Sequence, residues 1–297
     1  MLNSCLNIGE SCLKRPLKRT DAFLESVVAK PSHLEPIRLL RKSICLVCLL
    51  YTLTLLPFHS EFFGPDSYFP RYFDPNIWHH WLLKLFCKPG LTEYYLILVV
   101  GQLCCLACCF LDFKLAISTP LSYILTMNVW SLCWVTLDGG TNLIQVLFFM
   151  LLFCNSSGKH FDSRFEILNC VFNALTNCGF RLLQLQIIFV YFCAAMYKFN
   201  GELWTNGMAL YYVLQNTRYS MPMASEFVVE FPTISSLLTH SVFLFQYLFP
   251  ILIFVPQTRR LMLFVGILFH LGIAIVMGLG LFGIMMIATY SIFLTQT

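Results

Sequence analysis

Lys198 is the side chain with the most chemistry to offer. It ends the apolar run 187–197 and is followed by Phe199-Asn200-Gly201-Glu202. An ionisable group in or at the end of an apolar span costs about 2.5–3.5 kcal/mol on insertion scales, so its presence asks for a reason. An amine held in a dry site can give up its proton more readily and serve as a general base. Tyr191 lies seven residues earlier on the same helical face. Ala194 and Ala195 allow a neighbouring helix to come close, and Glu202 can pair with Lys198 if the helix continues that far. The plainer reading is a lysine whose stem lies along apolar surface while its ammonium reaches the headgroups. Trp204, Tyr211 and Tyr212 follow as aromatic faces suited to a pocket or lid. His270, in the middle of a charge-free run, can be a proton relay, a ligand or a hydrogen-bonding helix contact. His240 stands near the outer end of another run and can meet the same outer segment.

These residues need elements to position them, and composition names the kind. Of the 297 residues 58% are hydrophobic and 11% charged, against about 45–50% and 25% in soluble domains. That excludes a disordered chain and argues against an ordinary soluble enzyme. A net charge of +4, with no basic stripe interleaved with aromatics, excludes nucleic acid as a partner. Runs of about 17–25 apolar residues cross a bilayer as helices. They occur at 39–58, 94–111, 120–137, 143–154, 182–197 and 234–255. The 34-residue charge-free stretch 261–294 divides at Gly278-Leu279-Gly280 into 261–277 and 281–294. A single long tilted helix there is the alternative, giving seven spans.

The fold class is therefore all-α: a polytopic transmembrane helical bundle of about eight spans, over residues 38–295, with a pocket opening outward. Residues 1–37 form a basic N-terminal tail without an apolar leader segment, in which 21–30 is amphipathic. Lys14 to Lys42, Lys114, Lys159, Arg164, Arg181, Arg259 and Arg260 fall on one side, which the positive-inside rule makes the cytoplasm. Asp74-Pro75, followed by Trp78, Trp81, Leu82, Leu85 and Phe86, reads as a short helix in the outer interface over 73–86. Segment 200–232 carries turns at Asn200-Gly201 and Asn206-Gly207 and a helical pattern at 208–214. It either caps the bundle or dips back into it as a re-entrant segment.

Fourteen cysteines suggest disulfides until they are placed. Cys45, Cys48, Cys104, Cys105, Cys108, Cys109, Cys133, Cys154 and Cys193 fall in or beside spans, and only Cys87 is clearly outside. Cys45-x-x-Cys48 has redox spacing without the βαβ setting, and the cluster at 104–109 reads as small apolar residues at helix contacts or as a soft-metal site. Adjacent His79 and His80 point in different directions on a helix, so no metal site is expected there. Gln102, Asn128 and Gln246 read as interhelical hydrogen bonds. Lipase-type, zinc-protease and phosphate-loop motifs are absent.

From Tyr197-Lys198-Phe199-Asn200-Gly201-Glu202-Leu203-Trp204 through Asn206-Gly207 to Tyr211-Tyr212 the sequence resembles the HTTM family, the membrane domain shared with vitamin K-dependent gamma-carboxylase. Glu35-Pro36-Ile37-Arg38-Leu39-Leu40-Arg41, Asp138-Gly139-Gly140 and Gly266-Ile267-Leu268-Phe269-His270 agree with it. In the carboxylase a lysine of this domain acts as base toward vitamin K hydroquinone, and Lys198 is the matching position. The resemblance implies an integral membrane enzyme or enzyme-like factor acting at the outer face on a lipid-soluble quinone or an exported peptide. Lys198, Glu202 and Tyr191 would do the chemistry, and Trp204, Tyr211, Tyr212, His270 and His240 would hold the cofactor. The carboxylase's large extramembrane domain has no counterpart in these 297 residues. That motivates a second reading, a non-catalytic membrane partner for the maturation or export of a small secreted protein. A transporter is the third, and spans uninterrupted by paired breaks argue against it.

Overall fold

A helix satisfies its own backbone polar groups, so apolar runs that must live in lipid have one regular solution short of a closed barrel. The computed structural model describes residues 27–28, 30–31, 33–64, 95–133, 136–154, 166–216 and 220–294, and every regular element among them is a helix. Helix α1 (Leu34–Leu55) continues through a 3-10 turn, Leu56–Phe58, into the short α2 (His59–Phe63). Then come α3 (Tyr95–Phe110), α4 (Leu115–Leu132), α5 (Gly139–Leu151) and α6 (Glu166–Phe199). The short α7 (Glu202–Thr205), α8 (Ala209–Gln215) and α9 (Pro222–Glu230) lead to α10 (Pro232–Leu252), α11 (Pro256–Val276) and α12 (Gly280–Thr289). The chain closes in a 3-10 turn, Tyr290–Phe293.

All eight apolar runs carry a helix. Four stretches are long and apolar enough to cross a membrane: Leu34–Phe63, Ile167–Phe199, Pro232–Leu252 and Pro256–Val276. Tyr95–Phe110, Gly139–Leu151 and Gly280–Phe293 are apolar but shorter. The stretch 261–294 divides where the sequence places the break. Gly278 adopts φ +67°, which glycine takes without steric cost, so a single long helix does not form. The expected interfacial helix at 73–86 lies outside the described residues, as does most of 21–30.

Helix α6 departs from expectation. The sequence places a loop at 155–181, yet the helix is continuous from Glu166 and runs 34 residues. That is about 51 Å at 1.5 Å per residue, longer than the roughly 30 Å hydrocarbon core. Its buried stripe recurs at helical spacing from Thr176 onward: Thr176, Phe180, Leu183, Ile187, Tyr191 and Ala195. The polar residues that read as loop are the other faces of this extension. Asn173 and Asn177 donate to the carbonyls of Val28 and Val27, at 3.2 and 2.8 Å, and so fasten the end of the N-terminal tail.

Two-faced helices build the core. On α1, Ile37, Leu40, Ile44, Cys48 and Thr52 are buried, while Leu39, Leu46, Leu50 and Leu53 are exposed on the opposite side. An exposed leucine row of this kind has lipid as its natural neighbour. Gln102 joins three helices, receiving from Thr52 and donating to Thr126, both at 3.3 Å. Asn128 differs from the expectation: its Nδ2 donates back to the Ile124 carbonyl of its own helix at 2.7 Å, while its Oδ1 is buried with no hydrogen-bond partner among the described residues. Gln246 Oε1 is buried with no hydrogen-bond partner among the described residues. Gln184 donates to the Ile292 carbonyl at 2.9 Å, tying α6 to the final turn. Close helix approach rests on glycine: a Cβ at Gly140 would lie 2.7 Å from the Phe282 backbone nitrogen, and one at Gly283 2.6 Å from the His270 carbonyl oxygen. The eleven cysteines among the described residues are all free, and Cys45, Cys48, Cys109, Cys133 and Cys154 are buried as small apolar side chains.

Arg41 is more than an orientation signal. It is 1% exposed and donates to the Cys109 carbonyl and to Asp112, while Lys42 reaches the same carboxylate at 2.8 Å. Burial disfavours the charged form of Asp112, but hydrogen bonds from Lys42 and Arg41 outweigh it and hold the carboxyl below the usual range. The folded form therefore binds a proton less readily than the unfolded chain. Its contribution to stability is whole above the ordinary carboxylate value of about 3.9 and is lost as pH falls through the folded value. Thermal unfolding in lipid nanodiscs from pH 7 to 3 should show a drop in midpoint below about pH 4. Asp112→Asn should be less stable at pH 7 and flatter across that window.

Candidate functional site

Sequence-selected residues fall into two groups on the same helix. The first is at the end of α6. The helix stops at Phe199 because Gly201 turns the chain: its N–H bonds back to the Lys198 carbonyl at 3.0 Å, and it then adopts extended backbone as the N-cap of α7. Glu202 thus begins a new helix instead of adding a turn above Lys198. Among the described residues no ion pair joins the two, and Glu202 is exposed. The condition on which their pairing depended, continuation of the helix, is not met. The partly buried Lys198 instead places its ammonium 4.5 Å from the centroid of the Trp204 ring. Such a contact stabilises the cation by about 0.5–2 kcal/mol.

The segment after α6 is fastened to α10. Gly207 has φ +80°, and a Cβ there would meet Ser236 Oγ at 2.3 Å and His240 Cε1 at 2.6 Å. His240 lies between two carbonyls, Ser236 at 2.9 Å from Nδ1 and Thr205 at 3.4 Å from Nε2, so it links α10 to α7. The Leu210 N–H donates to Thr239 at 3.2 Å. Tyr211 and Tyr212 meet edge to face at 5.4 Å on α8, with Tyr211 half-buried and Tyr212 exposed.

The second group lies two turns back along α6. Tyr191, 1% exposed, hydrogen-bonds through its hydroxyl to His270 Nε2 of α11 at 2.7 Å and to the hydroxyl of Tyr290 in the final turn. Phe249 stacks on Tyr191 at 4.0 Å and Phe245 meets its edge at 5.7 Å. Gly266, one turn before His270, makes room for Tyr290: a Cβ there would lie 2.3 Å from the tyrosine oxygen. His270 is itself 1% exposed, with Phe269 and Phe282 against its ring, and its Nδ1 has no hydrogen-bond partner among the described residues. A buried group left unpaired costs about 1–3 kcal/mol.

The structure therefore separates Tyr191 from Lys198 in role, although one helical face carries both. Seven residues put their Cα atoms about 10 Å apart along the axis. Tyr191 spends its hydroxyl on the inner group. The Asp138-Gly139-Gly140 turn approaches the same group: Asp138 caps α5 through Thr141, and its glycines pack against Phe282. Sequence reasoning missed Tyr290. The signal available was a tyrosine hydroxyl within the charge-free stretch that holds His270, because a polar group in hydrocarbon needs a protein partner. Among the described residues no group of three or more His, Cys, Asp or Glu is placed to hold a metal ion.

The family model for the HTTM domain matches residues 41–297. Sporulation-delaying protein SdpB of Bacillus subtilis (strain 168) is 26% identical over 191 residues, covering 56% of this chain and 55% of that protein. The chain thus spans about half the length of the curated relative it matches. No solved structure matches the chain.

The glycine at 266 is testable against a neighbour on the same helix. Gly266→Ala should push Tyr290 aside and lower stability by about 1–3 kcal/mol, the usual range for overpacking. A Cβ at Gly272 would meet nothing within 4 Å, so Gly272→Ala should be neutral or stabilising by up to about 1 kcal/mol. Thermal midpoints of the two variants in nanodiscs check both, and equal effects would contradict the packing.

Proposed function

The chain belongs to the HTTM family, and we propose that this member is a membrane enzyme or enzyme-like factor acting at the outer face on a lipid-soluble quinone, with Lys198 as the base. The observation that carries the reading is the setting of Lys198. Its amine is partly buried at a helix end, lies over the Trp204 ring, and is joined to no carboxylate among the described residues. An ion-paired lysine is held in its charged form, whereas an amine held only by an aromatic face can lose its proton to solvent and take one from a hydroquinone hydroxyl. Trp204 then receives the ammonium that results. Tyr211 and Tyr212 extend the aromatic surface beside it, and in this reading Glu202, exposed one turn on, takes the proton onward to water. His240 keeps this segment seated on α10. The topology that goes with this function has eight spans, a cytoplasmic N-terminus and segment 200–232 outside.

A second reading, a docking partner for an exported peptide, is favoured by the apolar exposure of α9, where Met223 is 81% and Val229 54% exposed. It predicts that Lys198 is dispensable. In nanodiscs supplied with a naphthohydroquinone and oxygen, Lys198→Ala should lower quinone formation by about 100-fold or more, the scale of general-base catalysis. Lys198→Arg should not restore it, since a guanidinium does not give up its proton. Full turnover by a normally inserted Lys198→Ala chain would overturn the base assignment. Loss of peptide co-purification on Met223→Glu, with turnover absent in every variant, would favour the docking reading.

A further inference from the structure

Three polar side chains meet in an apolar part of the bundle, each at most 3% exposed, and the ways they can share their protons are few. Tyr191 has one proton and two partners, His270 Nε2 and the Tyr290 hydroxyl. In the first solution Tyr290 donates to Tyr191 and Tyr191 donates to Nε2. Both hydroxyl protons are then used, and the imidazole carries its proton on Nδ1. In the second, an Nε2–H donates to Tyr191 and Tyr191 donates to Tyr290. The Tyr290 proton then has no acceptor among the described residues, and the Nδ1 lone pair is stranded as well. The first leaves one group unpaired and the second leaves two, so burial selects the first. The unpaired group is the Nδ1–H of a side chain that is 1% exposed.

From this we infer that Tyr191 and Tyr290 are positioning residues that fix His270 as the Nδ1–H tautomer, so that this buried N–H is offered to the carbonyl oxygen of an apolar ring bound within the bundle. The faces that flank the donor suit such a ring. Phe269 and Phe282 lie 4.8 and 5.6 Å from the imidazole, both inclined to it. No carboxylate or ammonium of the described residues contacts the group, so a neutral acceptor is preferred over an ion. The inference rests on the quinone reading for the identity of the ring, but its first half concerns the ligand-free protein alone. Gly266 and Gly283 belong to the same device: the first gives Tyr290 its place, and the second lets α12 approach the His270 backbone.

The test uses the full chain in nanodiscs with 15N-labelled histidine, His270 being assigned by the signal lost in His270→Gln. The wild type should show the Nδ1–H tautomer at pH 7.5, roughly one unit above the ordinary histidine value. Tyr191→Phe removes the donor to Nε2 and should return a mixture of tautomers. Tyr290→Phe, the milder change, should move the signal in the same direction by less. An Nε2–H wild type, or a Tyr191→Phe spectrum identical to it, would overturn the inference. A water-soluble naphthoquinone is then titrated into the ligand-free protein. The Nδ1 proton should move downfield, and His270→Gln should weaken binding about three- to tenfold, the scale of one neutral hydrogen bond. An unmoved Nδ1 signal would overturn the assignment of the donor to a carbonyl ligand. Lys198→Ala, whose amine lies two turns from Tyr191, should leave the tautomer of the ligand-free protein intact. A failure of Lys198 as base is therefore read separately from a failure of this inference.

Discussion

Inside a bilayer a polar group has to find its partner within the protein, and that constraint organises this molecule. Backbone groups meet it through helices. Side chains meet it by crossing between elements, and the crossings include Gln102 between α1 and α4, Gln184 to the final turn, Arg41 to the α3–α4 turn, and Tyr191 to His270 and Tyr290. Each such bond fixes a relative position that apolar packing alone would leave free to slide, because lipid tails solvate a leucine as well as another leucine does. Where a partner is lacking among the described residues, as at His270 Nδ1 and Gln246 Oε1, the bundle carries an unmet polar group.

How far the sequence disclosed this architecture depends on which signal carried each part. Apolar runs located the helices, because length and hydropathy are summed over many residues and are insensitive to detail. The break at Gly278 was legible because a glycine pair inside an otherwise unbroken run has few other uses. The inner half of α6 was not legible, since asparagines, Lys159 and Arg164 beside it read as water-exposed loop. A helix that leaves the membrane has one polar face, and that face hid the buried stripe of Thr176 and Phe180.

The site was legible residue by residue but not in its grouping. Lys198 and Trp204 do meet, although nothing in their spacing required it, because the turn at Gly201 folds the chain back toward the helix end. Glu202 was placed beside Lys198 by a helical spacing, but the helix ends at Phe199, three residues before it. Tyr191 was assigned to the lysine because both share a face of α6. Its true partners come from α11 and the final turn, 79 and 99 residues away in sequence. Contacts at such separations leave no trace in local periodicity. Only the need of each polar group for a partner hints at them.

Helix α6 has a mechanical consequence. It is a single rod without proline, held near one end by the carbonyls of Val27 and Val28, gripped midway by Gln184 and Tyr191, and tipped at the other end by Lys198. A rod of this kind transmits torque. Two turns separate Tyr191 from Lys198, and their bearings about the axis differ by only about 20°, so any twist swings both through the same arc. The grip on the tail is therefore also a setting on the azimuth of the amine, and the two ends of the helix share one axle.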